Sequence, residues 1–380
     1  MTTKIALDSW VLSSRFRNHG IYAYARSLFR EFARKPIEHD LEFCLFTSPG
    51  NHNDASELPR GPNFHHWPTR LLQHKHLWRL AGASRSARAE KADLLFAPSA
   101  TVLPSSVPMV CTIHDTTPLR QPSSRATVNL MQRIFLRSAA AASRAIITVS
   151  QCSKLDLVEL LQVPESRIAV IYPGYDKAAF NPIPPDSVVL EGLLMRLQIS
   201  RPYILHHGVI QPRKNLMRLL EAYRLLMAEN RFMEFDLVLA GPMGWGFQPV
   251  LEAVHRWNSR GRVVLTGALA QHELAMLVKG AALAVIPSLY EGFCLPLVES
   301  MACGTPAIAA NSSCLPEVSG SGLLYFDPLS VDDITGCMKR VLDDSQLRRD
   351  LARRGKAYVA RYDWQHCADA TLQVLKRAAA

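Results

Sequence analysis

The chain has 380 residues, of which 48% are hydrophobic and 20% charged, with a mean hydropathy of +0.02. This is the composition of a globular protein that is long enough for two domains. No apolar run approaches the roughly 20 residues that a membrane-spanning helix needs. The first residues, MTTKIALDSWVL, lack the pattern of a secretory leader. We therefore expect a cytoplasmic protein.

The eight cysteines are scattered along the chain and include no Cys-x-x-Cys pair. This spacing argues against a zinc site and against a disulfide framework, so no metal is expected. The net charge is +10, and residues 1–180 carry +8 of it. Such an excess is typical of a surface that faces nucleic acid, anionic lipid or a phosphorylated substrate, although an ordinary solvated basic surface explains it equally well.

Short apolar strands alternate with helical stretches along the chain, which is the pattern of parallel α/β sheets. The strands predicted in the first half are KIAL, EFCLF, DLLFA, MVCTIHD, AIITVS and IAVIYPG. Those predicted in the second half are YILHHG, FDLVLAG, RVVLTG, LAVIPS, PAIAA and LLYF. We therefore predict an α/β fold with two doubly wound, Rossmann-like domains of similar size that face a cleft.

A proline-rich stretch after Phe180 separates the two sets of strands. The predicted domains are residues 1–180 and 201–360, joined by a linker at 181–200. Residues 361–380 carry an apolar stripe at helical spacing, so they are predicted to form a last helix that packs back toward the N-terminal domain. Because ligands bind at the carboxyl ends of strands in such sheets, the loops there are the candidates for a site.

Two basic stretches of the first half contain the charge excess. If residues 123–150 are helical, four arginines of this stretch lie within about 120° of one another around the axis. These four are Arg125, Arg133, Arg137 and Arg144, and the stretch at 70–91 adds Arg79, Arg85 and Arg88 beside Trp78. Either stretch would suit anionic lipid or be a solvated helix face. Nucleic acid is disfavoured because aromatic residues are not interleaved with the cations.

The stretch HHGVIQPRKN predicts a strand that ends near Gly208 and a helix that starts near Asn215. Arg213 and Lys214 then precede a helix N-terminus, where cations are unfavourable unless an anion is bound. Cationic side chains and free backbone N–H groups together form a diphosphate site. A solvated pair of charges is the alternative.

The stretch SLYEGFCLPLVESMACG places two carboxylates around another helix N-terminus. Glu291 follows a buried strand, and Glu299 is predicted in the first turn of a helix that begins near Pro296 and ends before Gly304. Carboxylates accept hydrogen bonds from vicinal hydroxyls well. The pair is therefore interpreted as binding the hydroxyls of a ribose and of a transferred sugar, rather than as solvated surface acids.

Five stretches in this order resemble the retaining glycosyltransferases of family 4, which have the GT-B fold. They are GIYAYARSLFREFA (20–33), TIHDTTPLR (112–120), the stretch at 146–180, GVIQPRKN (208–215) and the stretch at 288–320. The segment EGFCLPLVE fits the Glu-x7-Glu element of that family. The resemblance covers nearly the whole chain, with the acceptor expected on the first domain and the donor on the second.

The resemblance implies a role for each matching residue. Arg213 and Lys214 would neutralise the donor diphosphate, Glu299 would bind the ribose, and Glu291 would contact the transferred sugar. The backbone N–H groups of Phe293, Cys294 and Leu295 would contact the donor sugar and phosphate, and Gly208 would lie in the donor site. Gly20 would let the backbone of the first domain approach the diphosphate, and His114 would contact the donor sugar. Three positions depart from the family: Tyr22 and Cys294 replace usual glycines, and Val209 replaces a common arginine.

The implied reaction keeps the anomeric configuration and needs neither metal nor cofactor. The absence of Asp-x-Asp agrees with protein cations replacing Mg²⁺. GDP-mannose is the first guess for the donor, with UDP-, ADP- and dTDP-sugars as alternatives, and the acceptor would be a saccharide or a lipid-linked saccharide. A catalytically inactive GT-B subunit and a GT-B epimerase or phosphorylase are the competing interpretations. A nicotinamide-dependent dehydrogenase is disfavoured because no Gly-x-Gly-x-x-Gly follows a strand.

Overall fold

A computed structural model describes residues 2–12, 20–34, 41–47, 59–61, 63–68, 78–100, 105–121, 126–200, 202–257 and 262–380. The chain forms two compact units. Unit 1 comprises residues 1–174 and 362–380, and unit 2 comprises residues 175–361.

Unit 1 contains a seven-stranded parallel sheet in the order β3-β2-β1-β4-β5-β6-β7. Its strands are β1 (Thr3–Leu7), β2 (Leu41–Thr47), β3 (Phe64–Pro68), β4 (Leu94–Ala97), β5 (Met109–Ile113), β6 (Ala145–Thr148) and β7 (Ile168–Val170). Its helices are α1 (Gly20–Arg34), α2 (Ala83–Ala89), α3 (Thr117–Arg120), α4 (Ala126–Ala142), α5 (Gln151–Leu161) and, near the end of the chain, α14 (Trp364–Ala379). The central strands β4 and β5 are buried throughout, as expected for a sheet covered on both faces.

Unit 2 contains a six-stranded parallel sheet in the order β10-β9-β8-β11-β12-β13. Its strands are β8 (Tyr203–His207), β9 (Asp236–Ala240), β10 (Val263–Gly267), β11 (Leu283–Ile286), β12 (Ala307–Ala310) and β13 (Leu324–Phe326). Its helices are α6 (Ser187–Arg196), α7 (Leu216–Leu226), α8 (Gln248–Trp257), α9 (Gln271–Gly280), α10 (Leu295–Ala302), α11 (Leu315–Ser319), α12 (Val331–Asp343) and α13 (Ser345–Val359).

The strand order of unit 2 reverses between β8 and β11. From β8 the chain builds outward through β9 and β10, and it then returns to β11 and builds the other way. Since parallel crossovers are almost always right-handed, the two directions put their helices on opposite faces of the sheet. Accordingly α7 contacts α8 and α12, whereas α10 contacts α9, α11 and α13. The carboxyl ends of β8 and β11 form the switch point at which such sheets bind ligands.

Every predicted strand is present, and the predicted α/β class is confirmed. The sequence analysis missed β3, whose short sequence FHHWP offers little apolar pattern and lies at the edge of its sheet. The division between the units differs from the predicted one. Residues 181–200 are part of unit 2 rather than a separate linker, because Asp186 caps α6 and the buried Leu193 anchors that helix. Helix α14 packs in unit 1 against α1 and strands β4, β5 and β6.

Candidate active site in unit 2

The loops that follow β8 and β11 are joined by a buried cluster of charges. Lys214 and Glu291 are each only 5% exposed, and Lys214 Nζ lies 2.5 Å from Glu291 Oε1. The Arg213 guanidinium contacts the other carboxylate oxygen, also at 2.5 Å. The anion that offsets these two cations is therefore Glu291 itself, which lies 77 residues further along the chain. The cluster retains a net charge of +1.

The two cations keep Glu291 ionised. Burial on its own would raise the pKa of this carboxyl, but the charges and hydrogen bonds of Arg213 and Lys214 outweigh that effect and lower the pKa to about 2. A buried carboxylate with two charge-assisted hydrogen bonds is held in a fixed geometry. The cluster is thus a rigid electropositive site at the switch point.

Backbone and serine hydrogen bonds fix the relative position of the two loops. Leu289 N donates to Arg213 O at 2.8 Å, and the Arg213 guanidinium donates to Tyr290 O at 2.9 Å. From the loop after β12, Ser313 Oγ accepts from Glu291 N at 3.0 Å. The sequence analysis missed the serine loop, although its position after a strand of the same sheet was a usable signal.

Glycines allow the backbone to pass close to the charged cluster. Gly208 has a φ of +134°, and a Cβ on it would lie 3.7 Å from Lys214 Nζ and 3.8 Å from Pro296. Gly241, which follows β9, has a φ of +145°, and a Cβ there would lie 2.1 Å from Gly208 O. Only glycine fits at Gly241, because both its conformation and its space exclude a side chain.

Helix α10 begins at Leu295 beside the cluster. Its N-cap, Cys294, is buried and has a left-handed conformation with a φ of +68°. The family that the sequence resembles usually has glycine here, and glycine adopts this left-handed conformation without strain. Phe293 lies in the turn that leads to the helix, and Pro296 is the second helical residue. The N-terminus of this helix thus lies beside the cations, and the partial positive charge of a helix N-terminus favours anions.

Glu299 lies in the second turn of α10, so its prediction in the first turn was wrong by about one turn. Its side chain is 18% exposed, and no donor in the described part of the chain hydrogen-bonds to it. Burial, with a contribution from the charge of Asp176, raises its pKa to about 8. At neutral pH the carboxyl group is therefore mainly protonated in the free protein, and it offers both an O–H donor and an acceptor oxygen to the hydroxyls of a ligand.

His207 packs beside Glu299, with His207 Nδ1 at 3.8 Å from the carboxyl oxygen. Burial and the neighbouring His206 lower the pKa of His207 to about 3, so the imidazole is neutral and the pair is not a salt bridge. His207 Nε2 lies 3.1 Å from Ser300 Oγ on the same helix. The histidine therefore fixes α10 against the end of β8. The sequence analysis identified neither His207 nor Asp176 as a site residue. Apart from its being an acidic residue, nothing in the sequence marks Asp176 as part of a site.

The remaining predicted residues belong to unit 1. His114, at the end of β5, donates from Nε2 to Pro98 O at 2.9 Å, since a carbonyl can only accept. Burial lowers its pKa, so the ring is neutral and Nδ1 is an acceptor. Gly20 is the exposed first residue of α1, whereas Tyr22 is buried in that helix. Residues 13–19, which precede Gly20, lie outside the described residues.

Within the described residues, no cluster of His, Cys, Asp and Glu has an arrangement that would hold a metal ion. Helices of sufficient length and apolarity to cross a bilayer are also absent from that part of the chain.

Solved structures identify the fold of the chain. The structure is similar over 99% of this chain to HepE of Anabaena solved with UDP and glucose, with a TM-score of 0.74 and 17% identity over all of that chain. It is also similar to sucrose-phosphate synthase from Thermosynechococcus elongatus, with a TM-score of 0.73 and 19% identity over 99% of this chain and 98% of the other. The fold is therefore GT-B, as predicted.

Family models match both halves of the chain: "Glycosyltransferase Family 4" matches residues 19–179, and "Glycosyl transferases group 1" matches residues 197–358. The O-antigen chain mannosyltransferase B of Escherichia coli is 32% identical over 272 residues, 70% of each chain. The serotype-specific mannosyltransferase WbdA of Escherichia coli is 29% identical over 70% of this chain, which spans about a third of WbdA. The chain belongs to glycosyltransferase family 4, as the sequence analysis predicted.

Proposed function

We propose that the protein transfers a hexose, with mannose from GDP-mannose as the first candidate, to a saccharide or lipid-linked saccharide with retention of the anomeric configuration. The observation that carries this proposal is the buried cluster of Arg213, Lys214 and Glu291 beside the N-terminus of α10. UDP-, ADP- and dTDP-sugars are the alternative donors.

The cluster suits the departure of a nucleoside diphosphate. The bond between the anomeric carbon and the phosphate oxygen breaks, and its electron pair leaves with the diphosphate. Arg213, Lys214 and the first turn of α10 stabilise the added negative charge without a metal ion. The acceptor hydroxyl forms the new bond on the same face and gives its proton to the departing phosphate, so no general base is assigned.

Glu299 and Glu291 would bind the two sugars of the donor. Glu299 is the candidate ribose ligand because its carboxyl group lies at the end of β8 with its acceptor atoms available. Glu291 would contact the transferred hexose while remaining paired with the two cations. His114 Nδ1, Phe293, Cys294 and Leu295 are the further proposed contacts, with Gly208 and Gly20 allowing close backbone approach.

The choice of mannose and of glycan biosynthesis rests on the relatives. One of them is named as an O-antigen chain mannosyltransferase and another as a serotype-specific mannosyltransferase. A third, the MMP alpha-(1->4)-mannosyltransferase of Mycolicibacterium hassiacum, is 32% identical over 62% of this chain and 54% of its own length. We therefore propose a role in building a cell-surface polysaccharide such as lipopolysaccharide.

Thermal unfolding in the presence of nucleotides tests the donor site. GDP, UDP, ADP and dTDP are added separately to purified protein in EDTA, each at a saturating concentration. A ligand at about 100 times its Kd stabilises the native state by about 2.7 kcal/mol. We expect GDP to raise the melting temperature, Glu299→Ala to abolish that rise, and Glu252→Ala, an exposed carboxylate on α8, to preserve it.

Product analysis completes the test. With GDP-mannose and a mannose-terminated oligosaccharide, we expect transfer in EDTA and an α-linked product from the α-linked donor, read from the anomeric proton by NMR. An inverted product would contradict retention, and a requirement for Mg²⁺ would contradict a metal-independent reaction. Absence of protection by all four nucleotides would favour an inactive GT-B subunit.

We also propose that unit 1 associates peripherally with the cytoplasmic face of an anionic membrane. Helix α4 exposes Val128, Leu130, Met131 and Ile134 by 44–59%. Residues 116–155 contain five arginines and one lysine but no acidic residue. An exposed apolar face in an acid-free, basic segment fits the interface of an anionic bilayer.

The predicted basic stripe is only partly described by the structure. Arg137 is exposed on α4 and Arg144 just beyond it, but Arg133 donates to Pro118 O at 2.9 Å, and Arg125 lies outside the described residues. In the second stretch, Arg85 and Arg88 lie on α2 and Trp78 is buried, which removes Trp78 as a membrane anchor. The side chain of Arg79 lies outside the described part. The proposed association with an anionic membrane therefore rests on the exposed residues of α4.

Flotation with vesicles tests this association. We expect binding to vesicles of phosphatidylglycerol and phosphatidylethanolamine at low salt, weaker binding at high salt, and none to phosphatidylcholine alone. The double substitution Leu130→Ser with Ile134→Ser should release the protein, whereas Ile183→Ser, at an exposed apolar residue of unit 2, should not. Equal binding of all variants would refute a role for α4.

A further inference from the structure

The loop that follows β9 exposes two large apolar side chains. It runs through GPMGWGF, residues 241–247, and leaves Trp245 38% and Met243 39% exposed. Apolar residues exposed singly are common on proteins, but an exposed tryptophan at the carboxyl edge of a ligand-binding sheet is a candidate ligand contact. Apart from Gly241, whose lack of a side chain makes room for Gly208, no residue of this loop has a role in the donor site described above.

Backbone contacts hold this loop against the loop that carries the cations. Gly244 N donates to Ile210 O at 2.8 Å, and Ile210 N donates to Pro242 O at 2.9 Å. A Cβ on Gly244 would lie 2.7 Å from the side chain of Val209, and one on Gly246 would lie 2.9 Å from Pro212. The glycines therefore permit a close fit, and Trp245 is presented from a fixed backbone one residue away from each of them.

The position of the loop relative to Glu299 indicates which part of the reactants it meets. Glu299 lies on α10, which is on the opposite face of the sheet from α7, whereas Arg213 and Lys214 lie in the loop that leads into α7. The loop of Trp245 packs on Val209 and Pro212, which lead into α7. Trp245 is therefore on the side of the diphosphate site that lies away from the proposed ribose ligand. A nucleoside that binds Glu299 through its ribose would therefore lie toward the face of α10, whereas Trp245 lies toward the face of α7.

We propose that Trp245 is a stacking platform for the acceptor saccharide. This inference rests on the proposed function, since it assumes a saccharide acceptor for the sugar that leaves the diphosphate. The flat, apolar indole packs against the C–H face of a sugar ring, and its N–H remains available to a hydroxyl. Because the loop is fixed to the cation loop, a ring stacked on Trp245 is held at a constant distance from the departing diphosphate, which orients the attacking hydroxyl.

Substitution of Trp245 tests the platform. Trp245→Leu removes the flat face but keeps an apolar side chain, and Trp245→Phe keeps a flat face. We expect Trp245→Leu to raise the KM for an oligosaccharide acceptor about 10-fold or more, which corresponds to the loss of one stacking contact. Trp245→Phe should recover most of that loss. Protection by GDP should be the same in all three proteins, which shows that the fold and the donor site are intact.

A binding measurement separates this inference from the proposed function. Mannotriose and maltotriose are titrated by calorimetry into the GDP-saturated wild type and both variants, and we expect at least one to bind the wild type and to bind Trp245→Leu more weakly. Equal binding to Trp245→Leu, or binding of neither saccharide to the wild type, would overturn the platform while the donor site stands. Absence of nucleotide protection in the wild type would instead overturn the proposed function.

Discussion

At the scale of single residues, Glu291 connects the stability of the site with its chemistry. It forms ion pairs with Arg213 and Lys214, which lie on a different loop, and all three side chains are largely buried. Removal of one partner from a buried charge cluster leaves the other charges uncompensated. The resulting loss of stability is larger than the net stabilisation that the intact cluster provides. The same residue is thus required both to fold the site and to set its charge.

We predict that Glu291→Gln lowers the free energy of unfolding at pH 7 by about 3–5 kcal/mol. Denaturant unfolding measures this change. The matched control is Glu229→Gln, whose carboxylate pairs with Lys339 and Arg231 at the surface, where solvent screens the interaction. Equal effects of the two substitutions would mean that burial does not strengthen the cluster.

The pH dependence of stability should follow from the same residue. The pKa of Glu291 is depressed in the folded state, so its contribution is fully present above the unfolded-state value and is lost as the pH falls toward about 2. We expect the difference in stability between wild type and Glu291→Gln to shrink between pH 5 and pH 2. Unfolding curves at several pH values measure it, and a constant difference would contradict the assignment.

The sequence predicted the residue types of this site but not all of their interactions. Arg213, Lys214, Glu291 and Glu299 are all brought to the switch point of one sheet, as the positions of the loops led us to expect. The ion pairs could not be predicted because they depend on how two loops 77 residues apart meet in three dimensions. The left-handed conformation of Cys294 was indicated only by the glycine that is usual at this position in the family, since cysteine itself rarely adopts it.

At the scale of elements, the glycines after β8 and β9 set how closely neighbouring loops approach. The carbonyl of Gly208 occupies the space where a side chain on Gly241 would be. Any displacement of Gly208 is passed to the lysine loop, because Gly208 lies against Lys214 and Pro296. The geometry of the cation cluster therefore depends on Gly241, a residue that follows β9 and contributes no charge to the cluster.

We predict that Gly241→Ala destabilises the protein by at least about 1–3 kcal/mol, the usual cost of a strained backbone conformation. It should also abolish the protection by GDP, because the displaced loop carries the cations. Gly336→Ala is the control: that glycine lies within α12 with open space around its Cα, so alanine should stabilise the helix by up to about 1 kcal/mol. Thermal unfolding with and without GDP measures both effects, and retained protection in Gly241→Ala would contradict the proposed coupling.

Strand prediction succeeded best where burial makes the sequence apolar. All six strands of unit 2 were predicted, and β8, β9, β11 and β12 are buried throughout. The missed strand, β3, is at a sheet edge and has His65 and His66 exposed, so its sequence carries no continuous apolar run. Helix α6 was likewise mistaken for part of a linker, because only Leu193 of its residues is buried.

At the scale of the whole molecule, the chain passes from unit 1 to unit 2 after Gly174 and returns after Arg361. Helix α14 then completes unit 1, with its apolar side chains packed against α1 and the central strands. Gly174 lies so close to the start of α14 that a Cβ on it would be 2.2 Å from Trp364 N. The first unit is therefore built from two segments that are distant in sequence.

We predict that removal of residues 362–380 unfolds unit 1 but leaves the nucleotide site of unit 2 intact. The burial of Leu372 and Leu375 alone corresponds to about 3–6 kcal/mol. Calorimetry should therefore show the loss of one unfolding transition, while GDP still shifts the other. Removal of residues 379–380 only should change neither transition, and an unchanged pair of transitions after the longer deletion would contradict a structural role for α14.

This discontinuity reverses the order in which the two units can be completed during synthesis. Unit 2 is a single continuous segment, so all of its residues are available once Arg361 has left the ribosome. Unit 1 begins to be made first, but its sheet and α1 lack one of their packing partners until α14 emerges. The apolar surface that α14 covers on α1 and on β4, β5 and β6 is thus exposed throughout the translation of unit 2, when such surfaces are prone to aggregation. A chaperone that binds nascent chains would therefore be expected to contact unit 1 for longer than unit 2.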